Sequence, residues 1–125
     1  MSYVLVFIGG GLGSLARFAF SKYFGVSHGG FPLATLLSNT VSCVILGLVV
    51  SALYTKATAS NYTAYSLLFI ATGFCGGFST FSTFSLDTFQ LFNNGQYAVA
   101  LGNVAANILV CLLAIALGFY LGKLL

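Results

Sequence analysis

Gly73-Phe74-Cys75-Gly76-Gly77-Phe78-Ser79-Thr80-Phe81-Ser82-Thr83-Phe84-Ser85 decides how this chain folds. The stretch lies inside a long apolar run, yet glycines 73, 76 and 77 followed by repeated serine and threonine weaken a helix near its middle. Non-helical backbone at membrane depth is tolerated only when buried in protein or lining a wet cavity. A break here frees carbonyls to coordinate a cation and amides to face an anion. Phe78, Phe81 and Phe84 recur every three residues and drift by about 60° per step around a helix. From that spacing alone they read as a packing surface.

The rest of the chain explains why membrane depth is the right frame. Hydrophobic residues make up 59% of the 125 and charged residues only 4%, against about 25% charged in soluble domains. Four basic residues, one acid and one histidine cannot cover a soluble surface, and +3 is too sparse for a nucleic-acid face. A membrane-spanning helix needs about 20 apolar residues. The sequence therefore predicts an all-α membrane protein, one domain over residues 1–125, with four transmembrane helices and the third broken at its centre. The apolar segments run from Tyr3 to Tyr23, Phe31 to Tyr54, Tyr65 to Phe92 and Tyr97 to Leu124. Short polar connectors, Gly25–Gly30, Thr55–Asn61 and Asn93–Gln96, separate them, and Tyr and Phe gather near the ends as interfacial aromatics do. The Tyr3–Ile8 run has no basic region before it and reads as a retained first span, not a signal peptide. The alternating strands of a barrel are absent from the pattern.

Loop lysines and arginines normally fix orientation. Lys22 lies at the first connector, Lys56 at the second and Lys123 at the C-terminus, while Arg17 is inside a span. One loop lysine faces two, a near tie. Such a chain can insert both ways up and pair as an antiparallel dimer with two-fold symmetry in the membrane plane. The alternative is that one orientation wins by a small margin.

Several polar residues sit within the spans. Gly9 and Gly13 share a face at the spacing that lets helices approach closely. Arg17 either snorkels to the interface marked by Lys22 and Tyr23 or serves an anion path, because a charge inside a span needs water or a partner. Thr35, Ser38, Asn39 and Ser42 form one polar stripe on span two. Thr40 and Ser42 are satisfied by their own helix backbone in the simplest reading. Asn39 carries donors and an acceptor that need partners in hydrocarbon, and helix-to-helix glue competes evenly with a pore-lining role. Asn103 and Asn107, one turn apart on span four, face the same way and can meet that stripe, with Gly118 and Gly122 beyond. Cys43, Cys75 and Cys111 lie far apart in separate apolar runs and read as small packing residues. Asp87 is the only acid and His28 has no nearby partner, so no nucleophile, base and orienting group come together and an enzyme is not expected. A small proton-coupled multidrug exporter would need a membrane-embedded glutamate, and this chain has none.

Together these residues resemble the small fluoride channels called Fluc or CrcB, over nearly the whole chain. The resemblance rests on Gly9-Gly10 through Gly13 to Arg17, on Pro32 followed by Thr35-Leu36 and Asn39, and above all on residues 73–85. It implies a dual-topology, antiparallel dimer of four-helix subunits in the cell membrane, with two pores that export fluoride passively from the cytoplasm. It implies a central structural sodium ion held by the carbonyls of Gly76 and Ser79. Phe81 and Phe84 fall on the family's pore phenylalanines, whose ring edges, the positive part of the quadrupole, face fluoride. Asn39 falls on its pore asparagine and Arg17 on its basic first-helix residue. Thr80, Ser82 and Thr83 lie between and beside the rings, and Thr35 on the stripe, as candidate pore lining. Asn103 and Asn107 depart from the family's usual residues at the pore wall. They leave open whether both pores conduct, and whether the chain forms a homodimer, which the loop charges favour, or half of a heterodimer. A non-transporting assembly subunit is the remaining alternative, but it would not require the broken third span. The expected partners are fluoride, the lipid bilayer and a second copy of the chain.

Overall fold

The computed structural model describes residues 1–25, 30–55 and 61–124; Lys56 and His28 lie outside the described residues. Helix α1 covers Ser2–Phe24 and α2 covers Leu33–Thr55. The third span, Asn61–Asn93, comprises α3 (Asn61–Ser66), a π-helical stretch (Leu67–Cys75), the short α4 (Gly76–Phe78) and α5 (Phe81–Asn93). Helix α6 covers Tyr97–Lys123. Among the described residues, four spans are long and apolar enough to cross a membrane. The 23 residues of α1 reach about 35 Å at 1.5 Å per residue, against a hydrocarbon core about 30 Å thick. This is an all-helical, multi-pass membrane protein.

The third span breaks where its sequence says it should. Ser79 (φ −75°, ψ 157°) and Thr80 (φ −154°, ψ 116°) are extended, between the last glycine pair and the hydroxyl-rich run. The π-helical stretch before the break was not foreseen, because i→i+5 bonding leaves no periodic signature over nine residues. Span two also differs, starting at Leu33 instead of Phe31. A residue before proline is pushed out of the α region, and Pro32, which has no N–H to lose, sits at the helix start, accepting from Leu36 N–H at 3.2 Å. The α5–α6 turn is set by Gly95 (φ 74°). Its N–H donates to Phe92 O (3.0 Å) and that of Gln96 to Leu91 O (2.9 Å), the paired bonds that close a helix end around a left-handed residue.

Two glycine seams hold the bundle. Helix α1 packs on the first half of the third span. A Cβ added at Gly9 would meet Phe69 O, one at Gly13 would meet Phe74 O, and one at Gly77 would meet Gly10 O. Among the described residues, helices α2 and α6 make the most extensive packing. They run parallel, in a register that sets Asn39 beside Asn107 and Gly47 against Ile115 O. Gly118 and Gly122 meet Val44 O and Leu48 O in the same seam. Without water to expel, contact in lipid depends on such close backbone approach. Gly13→Ala and Gly118→Ala are each expected to lower the thermal midpoint of the detergent-purified protein, by about 1–3 kcal/mol of overpacking. Gly102→Ala, where nothing lies within 4 Å, should leave the midpoint unchanged or raise it.

Candidate ion pathway

Breaking a helix inside a membrane leaves main-chain groups without partners. At this break, side chains supply them. Thr80 N–H donates to Asn39 Oδ1 at 2.8 Å, and Asn39 Nδ2 approaches Thr80 O at 3.5 Å. Thr83 N–H donates to Thr80 Oγ1 at 3.1 Å, so Thr80 caps α5. Ser82 Oγ lies 3.1 Å from the same oxygen. The carbonyl of Cys75, the last residue before α4, accepts from Ser79 N–H (2.9 Å), Ser79 Oγ (2.8 Å) and Ser42 Oγ (3.1 Å). Ser42 therefore serves the neighbouring span and not its own helix, whereas Thr40 does bond its own helix, to Leu36 O at 2.7 Å. The amides four residues beyond Gly76 and Ser79 belong to Thr80 and Thr83. Both are committed to side-chain oxygens, so neither carbonyl has its usual helical donor.

Polar contacts run on from Asn39 into the fourth span. Asn39 Nδ2 donates to Asn107 Oδ1 at 3.1 Å. Asn107 Nδ2 donates to Asn103 O (3.0 Å) and Oδ1 (2.9 Å). Asn103 Nδ2 donates to Thr88 Oγ1 (2.9 Å), whose hydroxyl donates to Phe84 O (2.7 Å). Separately, Thr35 Oγ1 donates to Asp87 Oδ2 at 2.7 Å.

Two clefts meet at Thr80. The first, about 280 Å³, is lined by Asn39, Cys43, Ser79, Thr80, Phe81, Phe84, Asn107, Ile108 and Cys111. The Phe81 and Phe84 rings lie 5.5 Å apart, tilted by 50°. The second, about 220 Å³, is lined by Arg17, Ser14, Phe18, Ser21, Thr35, Ser38, Thr80 and Thr83. Thr80 is a wall of both. One cleft thus presents two side-chain amides and two aromatic rings, the other a guanidinium among hydroxyls. An anion finds hydrogen-bond donors in each, and a low-dielectric surrounding strengthens them.

The family model described as "CrcB-like protein, Camphor Resistance (CrcB)" matches residues 4–119. This chain belongs to the CrcB family. A protein of Pyrococcus abyssi named "Fluoride-specific ion channel FluC" is 45% identical over 120 residues, covering 96% of this CrcB chain and 94% of its own length. Proteins of the same name from Pyrococcus furiosus and Francisella tularensis subsp. mediasiatica are 43% and 40% identical, covering 95% and 94% of this chain and 94% and 92% of their own lengths. These CrcB relatives are named as ion channels, which are not enzymes.

Within this CrcB chain the sequence-predicted residues divide into groups. Asn39, Thr80, Phe81, Phe84 and Asn107 share one cleft, and Arg17, Thr35, Thr80 and Thr83 the other. Ser82 borders neither but touches Thr80. Asn103 is wholly buried, with 0% exposure, and stands behind Asn107 instead of at a cleft wall. Phe78 is a packing residue, edge-on to Phe20 at 5.1 Å. Thr88 and the cysteines of the cleft wall were missed. Cys43 and Cys111 were read as distant, yet each lies four residues beyond an asparagine of the Asn39–Asn107 pair, so the parallel register brings both to one cleft. Thr80→Val keeps the shape of Thr80 but deletes its cap oxygen. It is expected to cost about 1 kcal/mol of stability, read as a lower thermal midpoint, with Thr80→Ser close to wild type.

Proposed function

We propose that this chain is the subunit of a passive fluoride channel, an antiparallel homodimer with two pores that lets fluoride leave the cytoplasm. The observation that carries the reading is the cleft where the Asn39 amide faces the same space as Phe81 and Phe84. The relatives, named as fluoride-specific ion channels, point to the ion.

The dimer is supported by what one chain leaves uncovered. Phe81 is 79% exposed, and Gly76 is exposed with nothing within 4 Å of an added Cβ. Phe81 follows the extended Ser79–Thr80 pair and Gly76 opens the short α4 before it, and such irregular backbone cannot be left to lipid. A second copy in the opposite orientation would cover this face, and the near tie of Lys22 against Lys56 and Lys123 permits that orientation. The carbonyls of Gly76 and Ser79, released from helical bonding and with no carboxylate beside them, fit a monovalent cation such as Na⁺ better than a divalent one. When bound, the ion would supply positive charge that ties the two crossings together.

Fluoride is small and strongly hydrated, so its pore must offer donors in place of water. Arg17 raises the local anion concentration at its cleft, acting over roughly a Debye length of about 10 Å. Hydroxyls of Thr80, Ser82 and Thr83 and the Asn39 amide supply donors around the break. The Phe81 and Phe84 ring edges attract only weakly, which suits conduction, since a site must admit an ion and still release it.

Replacing Phe81 or Phe84 with isoleucine keeps apolar bulk and removes the polarised edge. Fluoride efflux from reconstituted liposomes is expected to fall at least about tenfold, roughly 1.4 kcal/mol on the barrier, with the oligomer intact. Asn39→Asp should abolish flux, because a fixed negative charge repels the permeant anion. Wild-type efflux of both phenylalanine variants would mean that the rings only pack. For topology, single cysteines at Ser27 and Ala59 should each be labelled from both sides of the membrane. One-sided labelling would overturn the homodimer and require an oppositely oriented partner chain.

A further inference from the structure

The bonds leading away from the break all point one way. Thr80 N–H donates to Asn39, Asn39 to Asn107, Asn107 to Asn103, Asn103 to Thr88, and Thr88 to Phe84 O. The chain begins at a main-chain N–H, which can only donate, and ends at a main-chain carbonyl, which can only accept. Midway, Asn107 Nδ2 is also pinned by the main-chain carbonyl of Asn103 at 3.0 Å. No amide in the series can flip without setting donor against donor or acceptor against acceptor. Asn39 is thereby held with its oxygen on Thr80 N–H and its nitrogen on Asn107 Oδ1, at the wall of the first cleft. One of its two hydrogens goes to Asn107. The other has only the Thr80 carbonyl at 3.5 Å, beyond the usual 2.7–3.2 Å range.

We infer that Asn107 and, behind it, Asn103 are positioning residues. They fix the Asn39 amide so that one N–H stays available to an anion in the cleft, and so set selectivity without themselves binding the ion. The inference rests on the fluoride-channel reading. Asn107 matters more than Asn103, although Asn103 is the more deeply buried of the two (0% against 6% exposed). Truncating the Asn103 side chain still leaves its main-chain carbonyl to hold Asn107. Truncating Asn107 removes the acceptor that holds Asn39 Nδ2 and leaves Asn39 only its contacts with Thr80.

A threonine–valine pair at position 107 separates polarity from packing. A threonine hydroxyl can accept from Asn39 and donate to the carbonyl four residues back, as Ser38 does to Ala34 at 2.8 Å; valine has the same shape and neither bond. In liposome flux assays with fluoride and chloride, Asn107→Val is expected to lose at least about tenfold in fluoride flux and to narrow the fluoride-over-chloride ratio, while Asn107→Thr stays within about threefold of wild type. Asn103→Ala should lower the thermal midpoint more than either change at position 107, yet keep flux within about threefold. Equal behaviour of the valine and threonine variants, or a larger flux loss from Asn103→Ala than from Asn107→Val, would overturn the relay. Should the valine variant fail to fold, Asn107→Thr and Asn103→Ala still decide: both keep flux within about threefold if the relay holds, and a roughly tenfold loss in either overturns it. Wild-type protein that passes no fluoride would sink the channel reading itself. Conduction by wild type matched by Asn107→Val sinks only the relay.

Discussion

A main-chain amide in the middle of a membrane cannot be left without a partner, and at Thr80 that partner is a single side chain. Asn39 holds the Thr80 N–H at 2.8 Å, where an unbroken helix would have used the carbonyl of Gly76. Much else follows from this substitution of side chain for backbone. It permits the extended residues Ser79 and Thr80, which in turn let Thr80 cap α5 and start a new helix. The new helix begins inside the bilayer with a positive dipole end at the break. An asparagine on span two thus makes possible the one irregular segment from which the clefts are built.

The bundle supplies the rigidity that such a segment needs. Glycines bring α1 against the first half of the third span and α2 against α6 until backbone touches backbone. Asn39 sits on α2 and Asn107 on α6, so the second seam fixes the distance between them. A loose seam would let the two amides part, and hydrocarbon offers neither of them a substitute.

Reading residues in order revealed the spans, the break and the polar stripe, because composition, glycine clusters and helical spacing each leave a local trace. The stripe was legible as a stripe but not as a set of different tasks. Thr35 reaches Asp87, Ser38 returns to its own helix, Asn39 repairs the break and Ser42 bonds the Cys75 carbonyl. Those assignments depend on which helix lies opposite, and that is a tertiary fact. The parallel α2–α6 register likewise could not be read from either segment, so Cys43 and Cys111 looked remote and Thr88 looked like one more helical hydroxyl. The π-helical stretch stayed hidden for the same reason: its apolar residues (Leu67, Leu68, Phe69, Ile70) are ordinary in any membrane helix.

The parallel pairing of α2 with α6 also bears on how the protein is made. The two helices are not neighbours in the chain: Asn107 follows its partner by 68 residues. At roughly 5–20 residues per second, α2 leaves the ribosome several seconds before α6 exists. Until the third span follows, Asn39 has neither Thr80 nor Asn107 to bond, and until α6 follows it still lacks Asn107. A nascent second span carrying an unsatisfied amide gains little from moving freely into lipid. It has reason to linger at the insertion machinery, or against α1, until the fourth span arrives. Assembly is therefore tied to completion of the chain, and a product truncated before α6 would present the very asparagine by which quality-control proteases could distinguish it.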